Sequence, residues 1–158
     1  MDAAIADRLR SAGIELLPQE PPRHPYEPVV RDGSLLYTSG KTAMRDGRVV
    51  HAGRLSGDDD IAHGQEAARL CAVQLLSALE AAVGLENVER VVRLTVFVAS
   101  GPEFTGQAAV ANAASETLRA ALGDAGRHTR SAIGVAALPG GSTAEVEAIV
   151  RLRTEHVG

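Results

Sequence analysis

The sequence predicts an α+β two-layer sandwich in which two helices cover one face of a single β-sheet. Residues 61–83 and 107–122 repeat apolar side chains at intervals of three and four, which is the spacing of a buried helix face. Shorter stretches alternate apolar and polar residues, as strands with one buried face do. Because 158 residues suffice for one well-filled core, we expect a single domain.

Composition limits the classes of function. The chain is 45% hydrophobic and 23% charged, which is typical of a soluble globular protein. Its net charge of -4 disfavours nucleic-acid binding, because such binding depends on Lys and Arg displacing counterions from phosphates. Cys71 is the only cysteine, so no intramolecular disulfide can form. With neither a signal-peptide pattern nor a membrane-length apolar stretch, we expect a cytoplasmic protein without membrane contact.

Residues 1–24 are predicted to form an N-terminal helix and a proline-rich arm ahead of a domain over residues 25–158. Ile5 and Leu9 lie at helical spacing within residues 2–12, and Gly13 follows as a helix end. Five prolines fall between Pro18 and Pro28, which predicts irregular backbone there.

Turn residues then mark a β-hairpin. Strand-like residues 29–31 and 35–38 flank Asp32-Gly33, a pair that tolerates the positive φ angles of a two-residue turn. Residues 41–57 are rich in glycine and charge and predict a loop together with a short strand, including a second turn at Asp46-Gly47.

The clearest element is the helix predicted over residues 61–83. One apolar face collects Ala68, Cys71, Ala72, Leu75, Leu79 and Ala82. Asp58, Asp59 and Asp60 precede it, where carboxylates cap free N–H groups, so we interpret this run as helix capping rather than cation binding. Cys71 on the apolar face is predicted to be a buried, unreactive thiol.

A strand over residues 90–100, a helix over 107–122 and closing strands over 130–136 and 143–153 complete the order β-β-α-β-α-β-β. In the first strand, Val92, Leu94, Val96 and Val98 should face the helices. In the last strand the buried set should be Ala144, Val146, Ala148, Val150 and Leu152. Residues 138–141 predict a turn between the closing strands, with hairpins at both ends of the sheet, and Gly140-Gly141 lacks the lysine of a phosphate-binding loop.

The polar residues permit two interpretations. The five histidines, His24, His51, His63, His128 and His156, show no metal-ligand spacing, so no metal site is expected. Arg130 ends the run Arg127-His128-Thr129-Arg130, and Glu145 and Glu147 share one face of the next strand. Such groups form either a structural cross-strand ion pair or a catalytic site, and spacing alone leaves both open.

Three motifs resemble those of a known family. Pro25-Tyr26 followed by Thr38-Ser39-Gly40 is similar to the opening hairpin of the Rid (YjgF) family. The stretch over residues 130–139, RSAIGVAALP, resembles its signature strand, and AEVEAI over residues 144–149 resembles its closing strand. The resemblance spans about residues 25–153. The longer arm before Pro25, an extra segment over residues 123–129, and Ala132 where archetypes often have cysteine resemble a longer branch of the family.

The resemblance implies a chorismate-mutase-like fold with a mixed sheet, assembled as a homotrimer with ligand sites between subunits. Arg130 would grip a substrate carboxylate through two parallel hydrogen bonds, and Glu145 would activate water. The resemblance also gives substrate-binding roles to Tyr26, Ser39, Gly40, Ala132 and Asn112. The implied reaction is cofactor-free hydrolysis of small 2-imino or enamine acids to 2-ketoacids and ammonia.

Two other functions compete with this deaminase hypothesis. The chain could be a non-catalytic module that binds a small carboxylated metabolite such as a ketoacid through Arg130. A ribonuclease or translation-inhibitor activity, also attached to family names, is disfavoured by the acidic charge and the few aromatic residues.

Overall fold

The structure is a computed structural model that describes residues 1–21 and 24–153, so His156 and residues 22–23 of the predicted arm lie outside it. It has the predicted fold class: a sheet with two long helices on one face. The helices are α1 (Ala3–Ser11), α2 (Ile61–Val83) and α3 (Gln107–Leu122). The strands are β1 (Val29–Asp32), β2 (Leu35–Thr38), β3 (Lys41–Thr42), β4 (Met44–Arg45), β5 (Arg48–Val49), β6 (Val88–Ala99), β7 (Thr129–Val135) and β8 (Ala144–Leu152).

The order of strands in the sheet corrects one prediction. The main sheet runs β1-β2-β8-β6-β7, and β3 also pairs with β8. The closing strands β7 and β8 therefore form no hairpin, because β6 lies between them, parallel to β7 and antiparallel to β8. The reason is the connection through α3: a crossover of helical length joins parallel strands, whereas a hairpin needs only a short turn.

The two predicted turns differ in detail. In the first hairpin Asp32 pairs with Leu35, so the turn residues are Gly33 and Ser34, one position later than predicted. Of these only Gly33 has a positive φ, as the first residue of a type II′ turn requires. In the β4–β5 hairpin both Asp46 and Gly47 have positive φ, and this turn lies where the sequence predicts it. The predicted turn at residues 138–141 is also present, as a 3-10 turn over Pro139–Gly141.

Alternation in β8 is confirmed, but β6 breaks it. Ala144, Val146, Ala148, Val150 and Leu152 are all buried against the helices. In β6 the register with β8 shifts between Val91 and Arg93, so Val91 is buried and Val92 is only half-buried. A bulge of this kind inserts one residue into the strand, so the residues before it point to the opposite sides from those that alternation predicts.

The core is one cluster between the helices and the sheet. Predicted core residues of α2 and α3 are buried, except Ala82, which is exposed at the C-terminal end of α2. Ile5 and Leu9 of α1 belong to the same cluster. Cys71 is fully buried, donates to the Ala144 carbonyl, and burial raises its thiol pKa well above the usual value, as expected for an unreactive cysteine.

The acidic run precedes α2, but the predicted side-chain capping of that helix is not formed: Asp60 is the N-cap residue of α2, yet its carboxylate binds the preceding Ser56 and Gly57 instead of a helix N–H. Asp58–Asp60 form a 3-10 turn, and the Asp60 carboxylate accepts hydrogen bonds from the Ser56 backbone N–H and hydroxyl. These bonds lower the Asp60 pKa. Within the described residues, no helix is both long and apolar enough to cross a membrane.

Candidate active site

Arg130 is held on the helix side of the sheet. Its backbone partner in β6 is the buried Leu94, so its side chain emerges beneath α3. Nη1 donates to Asn112 Oδ1 and to Ser115 Oγ, each at 3.0 Å, and Nη2 donates to the Ala108 carbonyl at 3.3 Å. Two successive turns of α3 thus place three oxygen acceptors around a single guanidinium, because Ala108, Asn112 and Ser115 follow one another at intervals of four and three residues.

His128 extends this network on the far side of Ser115. Its Nδ1 lies 2.6 Å from the Gly126 carbonyl oxygen, which can only accept, so Nδ1 carries the proton. Nε2 is then an acceptor in the neutral imidazole, and the Ser115 hydroxyl donates a hydrogen bond to it at 2.9 Å. Burial lowers the His128 pKa, and the positive charges of Arg130 and Arg119 lower it further. The hydrogen bond to the Gly126 carbonyl acts in the other direction and raises it.

Glu145 lies on the open side of the sheet. Its partners are Phe97 in β6 and Thr42 in β3. Its pKa is raised, first by burial and then by the negative charge of Glu147. Within the part of the chain that the structure describes, no group donates a hydrogen bond to its carboxylate, which leaves both oxygens available to water.

Gly40 makes the position of Glu145 possible. A Cβ built on Gly40 would collide with the Glu145 carboxylate. The absence of a side chain therefore lets the carboxylate lie directly against the backbone at the start of β3. Next to it, Ser39 donates its hydroxyl to the Glu27 carbonyl at 2.6 Å, which ties this segment to the strand entry near Tyr26.

The two remaining predicted residues are at the periphery. Tyr26 is 52% exposed and stacks on His24 with ring centroids 6.0 Å apart. Ala132 pairs with Val96 and so lies on the same side as Arg130. It belongs to β7, which is an edge strand, so one row of β7 backbone groups has no partner within the sheet.

The structure therefore divides the predicted site into two groups. Arg130 and Ala132 lie on β7 at the sheet edge, with Asn112 of α3 above them, whereas Glu145 and Gly40 lie on the open side across β6. The cross-strand ion pair between Arg130 and Glu145, one of the two sequence interpretations, is not formed, because the strands are not neighbours and the side chains leave opposite faces. Ser115 and His128 are site residues without a predicted role; the spacing of Asn112 and Ser115, one helical turn apart, was the available signal for the first.

Comparison with known proteins gives the family. The sequence model of the endoribonuclease L-PSP family matches residues 17–152. Protein TCP17 of Trypanosoma cruzi is 42% identical over 150 residues, covering 94% of each chain.

Solved structures agree with this match. The structure of Atu1372 from Agrobacterium tumefaciens, a protein of unknown function, is 40% identical, covers 95% of this chain and 94% of its own, and superposes with a TM-score of 0.86. The YjgF gene product of E. coli is 27% identical, with 84% and 91% covered and a TM-score of 0.59. This chain therefore belongs to the endoribonuclease L-PSP family, also called the YjgF or Rid family.

Proposed function

We propose that the protein hydrolyses small 2-imino or enamine acids to 2-ketoacids and ammonia, at a site that two copies of the chain build together. The observation that carries this proposal is the set of donors left on Arg130. Three of its five N–H groups bind Asn112, Ser115 and Ala108. Nε–H and one Nη2–H have no partner in the described residues, and such a pair suits the two oxygens of a carboxylate.

The second copy follows from the division of the site. A substrate carboxylate on Arg130 cannot reach Glu145 of the same chain, because the side chains leave opposite faces of the sheet. Glu145 of another copy can approach if that copy presents its open sheet face to the β7 edge. Exposed apolar residues support such packing: Tyr37 is 43% exposed and Ile133 is 42% exposed, and Ile133 pairs with Phe97 beside Glu145. We propose that the same packing, repeated among three copies, builds a homotrimer. We also propose that the protein acts in the cytoplasm.

The chemistry needs no cofactor. The carbon of a protonated imine is already electrophilic, so hydrolysis requires a positioned water and a base. Glu145 takes a proton from water while the water oxygen bonds to that carbon. As this bond forms, the C=N π electrons move to nitrogen and give a carbinolamine. The protonated Glu145 then gives its proton to the carbinolamine nitrogen, which leaves as ammonia, while the hydroxyl group loses its proton to Glu145 and the carbon becomes a ketone. The raised pKa of Glu145 suits this role, because a base works best when its pKa approaches the working pH.

Glu145→Gln and Glu147→Gln form the matched pair that tests the proposal. An amino-acid oxidase generates imines in solution, and semicarbazide traps those that the protein has not hydrolysed. We expect Glu145→Gln to lower turnover by about a hundredfold or more, since the amide keeps the shape but is no base. Glu147 shares the strand face but is exposed, and Glu147→Gln should change turnover by less than about threefold.

Two outcomes would reject catalysis. Either wild type shows no rate above spontaneous hydrolysis, or both variants hydrolyse imines at the wild-type rate. If calorimetry then shows ketoacid binding that Arg130→Lys removes, the chain is a binding module, because Lys keeps the charge but lacks the paired donors. If the Arg130→Lys variant loses both ketoacid binding and imine hydrolysis, the result supports the deaminase proposal.

The endoribonuclease named in the family description is a weaker candidate for this chain. The net charge is -4, and the chain has two Tyr, two Phe and no Trp, which provides little for phosphates or stacked bases. When the purified protein is incubated with single-stranded RNA, we expect no cleavage that depends on Glu145, so wild type and Glu145→Gln should leave the RNA equally intact.

A further inference from the structure

Lys41 is the single lysine of the chain; the other side chains counted among its 16 Lys and Arg are all arginine. It lies in β3, where its backbone partner is the buried Val146, so its side chain leaves on the α2 side of the sheet. The next residue, Thr42, pairs with Glu145 and faces the opposite side. The Lys41 and Glu145 side chains therefore lie on opposite sides of the sheet, and Glu145 is the one that faces the proposed active site.

A pocket of about 580 Å³ opens beside Lys41. The N-terminal arm forms one wall, α2 the second, and β3 with the β4–β5 hairpin the third. Its apolar lining includes Leu17, Pro18, Ala78, Ala81 and Ala82, and Tyr26 lines it as well. This volume lies within the range of small-molecule sites, roughly 300–1,000 Å³.

The arm wall is held in place by hydrogen bonds, so the pocket is preformed. The Leu17 N–H donates to Ser77 Oγ at 2.9 Å. Gln19 Nε2 donates to Gln74 Oε1 at 3.2 Å, and Gln74 Nε2 in turn donates to the Met44 carbonyl at 2.6 Å. Gln74 thus joins the arm to the hairpin across one end of the pocket.

The Lys41 side chain is half-buried in this pocket and forms no ion pair with a described residue. Within the described residues it also makes no hydrogen bond, and burial lowers its pKa. Glu20 and Asp46 also line the pocket, but both are exposed residues, on the arm and at the hairpin tip. A partly desolvated cation without a partner is costly, and an anion bound beside it would offset that cost.

We propose that this pocket binds a small aliphatic carboxylate, with the carboxylate on Lys41 and the hydrocarbon chain against the alanines of α2. The proposed carboxylate anchor differs from that of the active site, because Arg130 does not line this pocket and β3 separates Lys41 from Glu145. The two sites are neighbours, since Tyr26, to which the family resemblance gives a substrate-binding role, also lines the pocket. Gly40, which touches Glu145, also lines the pocket, so its occupant would pack against the backbone that bounds Glu145.

The single lysine makes the test selective. Protein labelled with ¹³Cε-lysine gives one side-chain resonance in the NMR spectrum, and sodium hexanoate is the probe. We expect a saturable shift of that resonance and a rise in the lysine pKa, since a bound anion favours the charged amine. Acetate, which lacks the chain, and 1-hexanol, which lacks the charge, should each bind at least tenfold more weakly.

Variants locate the binding. Ala81→Leu narrows the pocket and should weaken hexanoate at least tenfold, whereas Ala62→Leu, exposed on the first turn of the same helix, should not. By calorimetry Lys41→Met should also weaken hexanoate at least tenfold. Arg130→Lys should leave the lysine shift unchanged, which separates this site from the proposed active site. A shift that fails to saturate, equal binding of 1-hexanol, or equal effects of the two alanine variants would overturn the proposal.

Discussion

At the scale of single residues, the orientation of Arg130 depends on a chain of hydrogen bonds that ends in a histidine. Ser115 accepts from Arg130 and donates to His128, and His128 donates to the Gly126 carbonyl. Each bond has a defined direction only while the imidazole is neutral, because a protonated ring would present a donor at Nε2. His128 is therefore a positioning residue that acts through Ser115.

This arrangement predicts a pH dependence of stability. The folded His128 pKa is lower than the value of about 6.5 in an unfolded chain, so between the two pKa values the unfolded chain binds more protons. The stabilising contribution is complete above about pH 6.5 and is lost as the pH falls toward the folded pKa. Denaturant unfolding of wild type from pH 7 to pH 5 should show this decline.

His128→Gln keeps an acceptor for Ser115 and a donor for Gly126 but does not titrate. The decline in the free energy of unfolding over the same pH range should be smaller in this variant. Equal pH slopes in the two proteins would contradict the assignment, as would an NMR titration that places the His128 pKa above 6.5.

At the scale of elements, the N-terminal arm is fastened to α2 by one buried hydroxyl. Ser77 donates to the Val73 carbonyl one turn earlier at 2.7 Å and accepts from the Leu17 N–H. Thr117 in α3 is an instructive counterpart, since it is equally buried and also donates one turn back, to the Ala113 carbonyl. Only Ser77 receives a backbone N–H from another element.

Ser77→Ala should therefore lower the free energy of unfolding by about 1–3 kcal/mol, because the Leu17 N–H loses its partner in a half-buried setting. Thr117→Val keeps the shape of the side chain and leaves no backbone donor without a partner, so its effect should be below about 1 kcal/mol. Urea unfolding gives both values. Faster hydrogen exchange at the Leu17 amide in Ser77→Ala would confirm that the arm itself is released, and equal losses in the two variants would contradict this account.

At the scale of the whole molecule, the open sheet face decides whether the proposed active site can form. It carries charged residues on β8 together with exposed apolar side chains, including Tyr37 and Ile133. An isolated chain gains nothing from exposing these apolar groups to water, whereas a second copy packed on this face would bury them.

Sedimentation equilibrium at micromolar concentration should give a mass of three times the 16.4 kDa chain. Ile133→Asp places a charge on the open face and should shift the mass toward that of the single chain. Met44→Asp is the matched control, since Met44 is similarly exposed but lies on the β4–β5 hairpin, outside the main sheet. A monomeric wild type would remove the shared active site, and equal dissociation by both variants would remove the role of this face.

The sequence by itself determined the elements and their buried sides. Apolar periodicity in α2, α3 and β8 predicted which residues enter the core, because burial in a helix or strand depends on spacing along the chain. The family motifs predicted the identities of Arg130 and Glu145 as site residues. Where the local pattern is interrupted by a bulge, as at Val92, the same reasoning failed.

Only the tertiary structure decided how those elements combine. Strand order is a non-local property, and no periodicity shows that β8 pairs with β6 while β7 becomes an edge strand. That order separates Arg130 from Glu145 by β6, and the register, in which Arg130 pairs with Leu94 and Glu145 with Phe97, puts them on opposite faces and so divides the site. The pocket at Lys41 also depends on residues about 21 to 41 positions from it along the chain, from Glu20 in the arm to Ala82 in α2. A lysine's charge is visible in a sequence, but the burial that leaves it without a partner arises only when distant segments close around it.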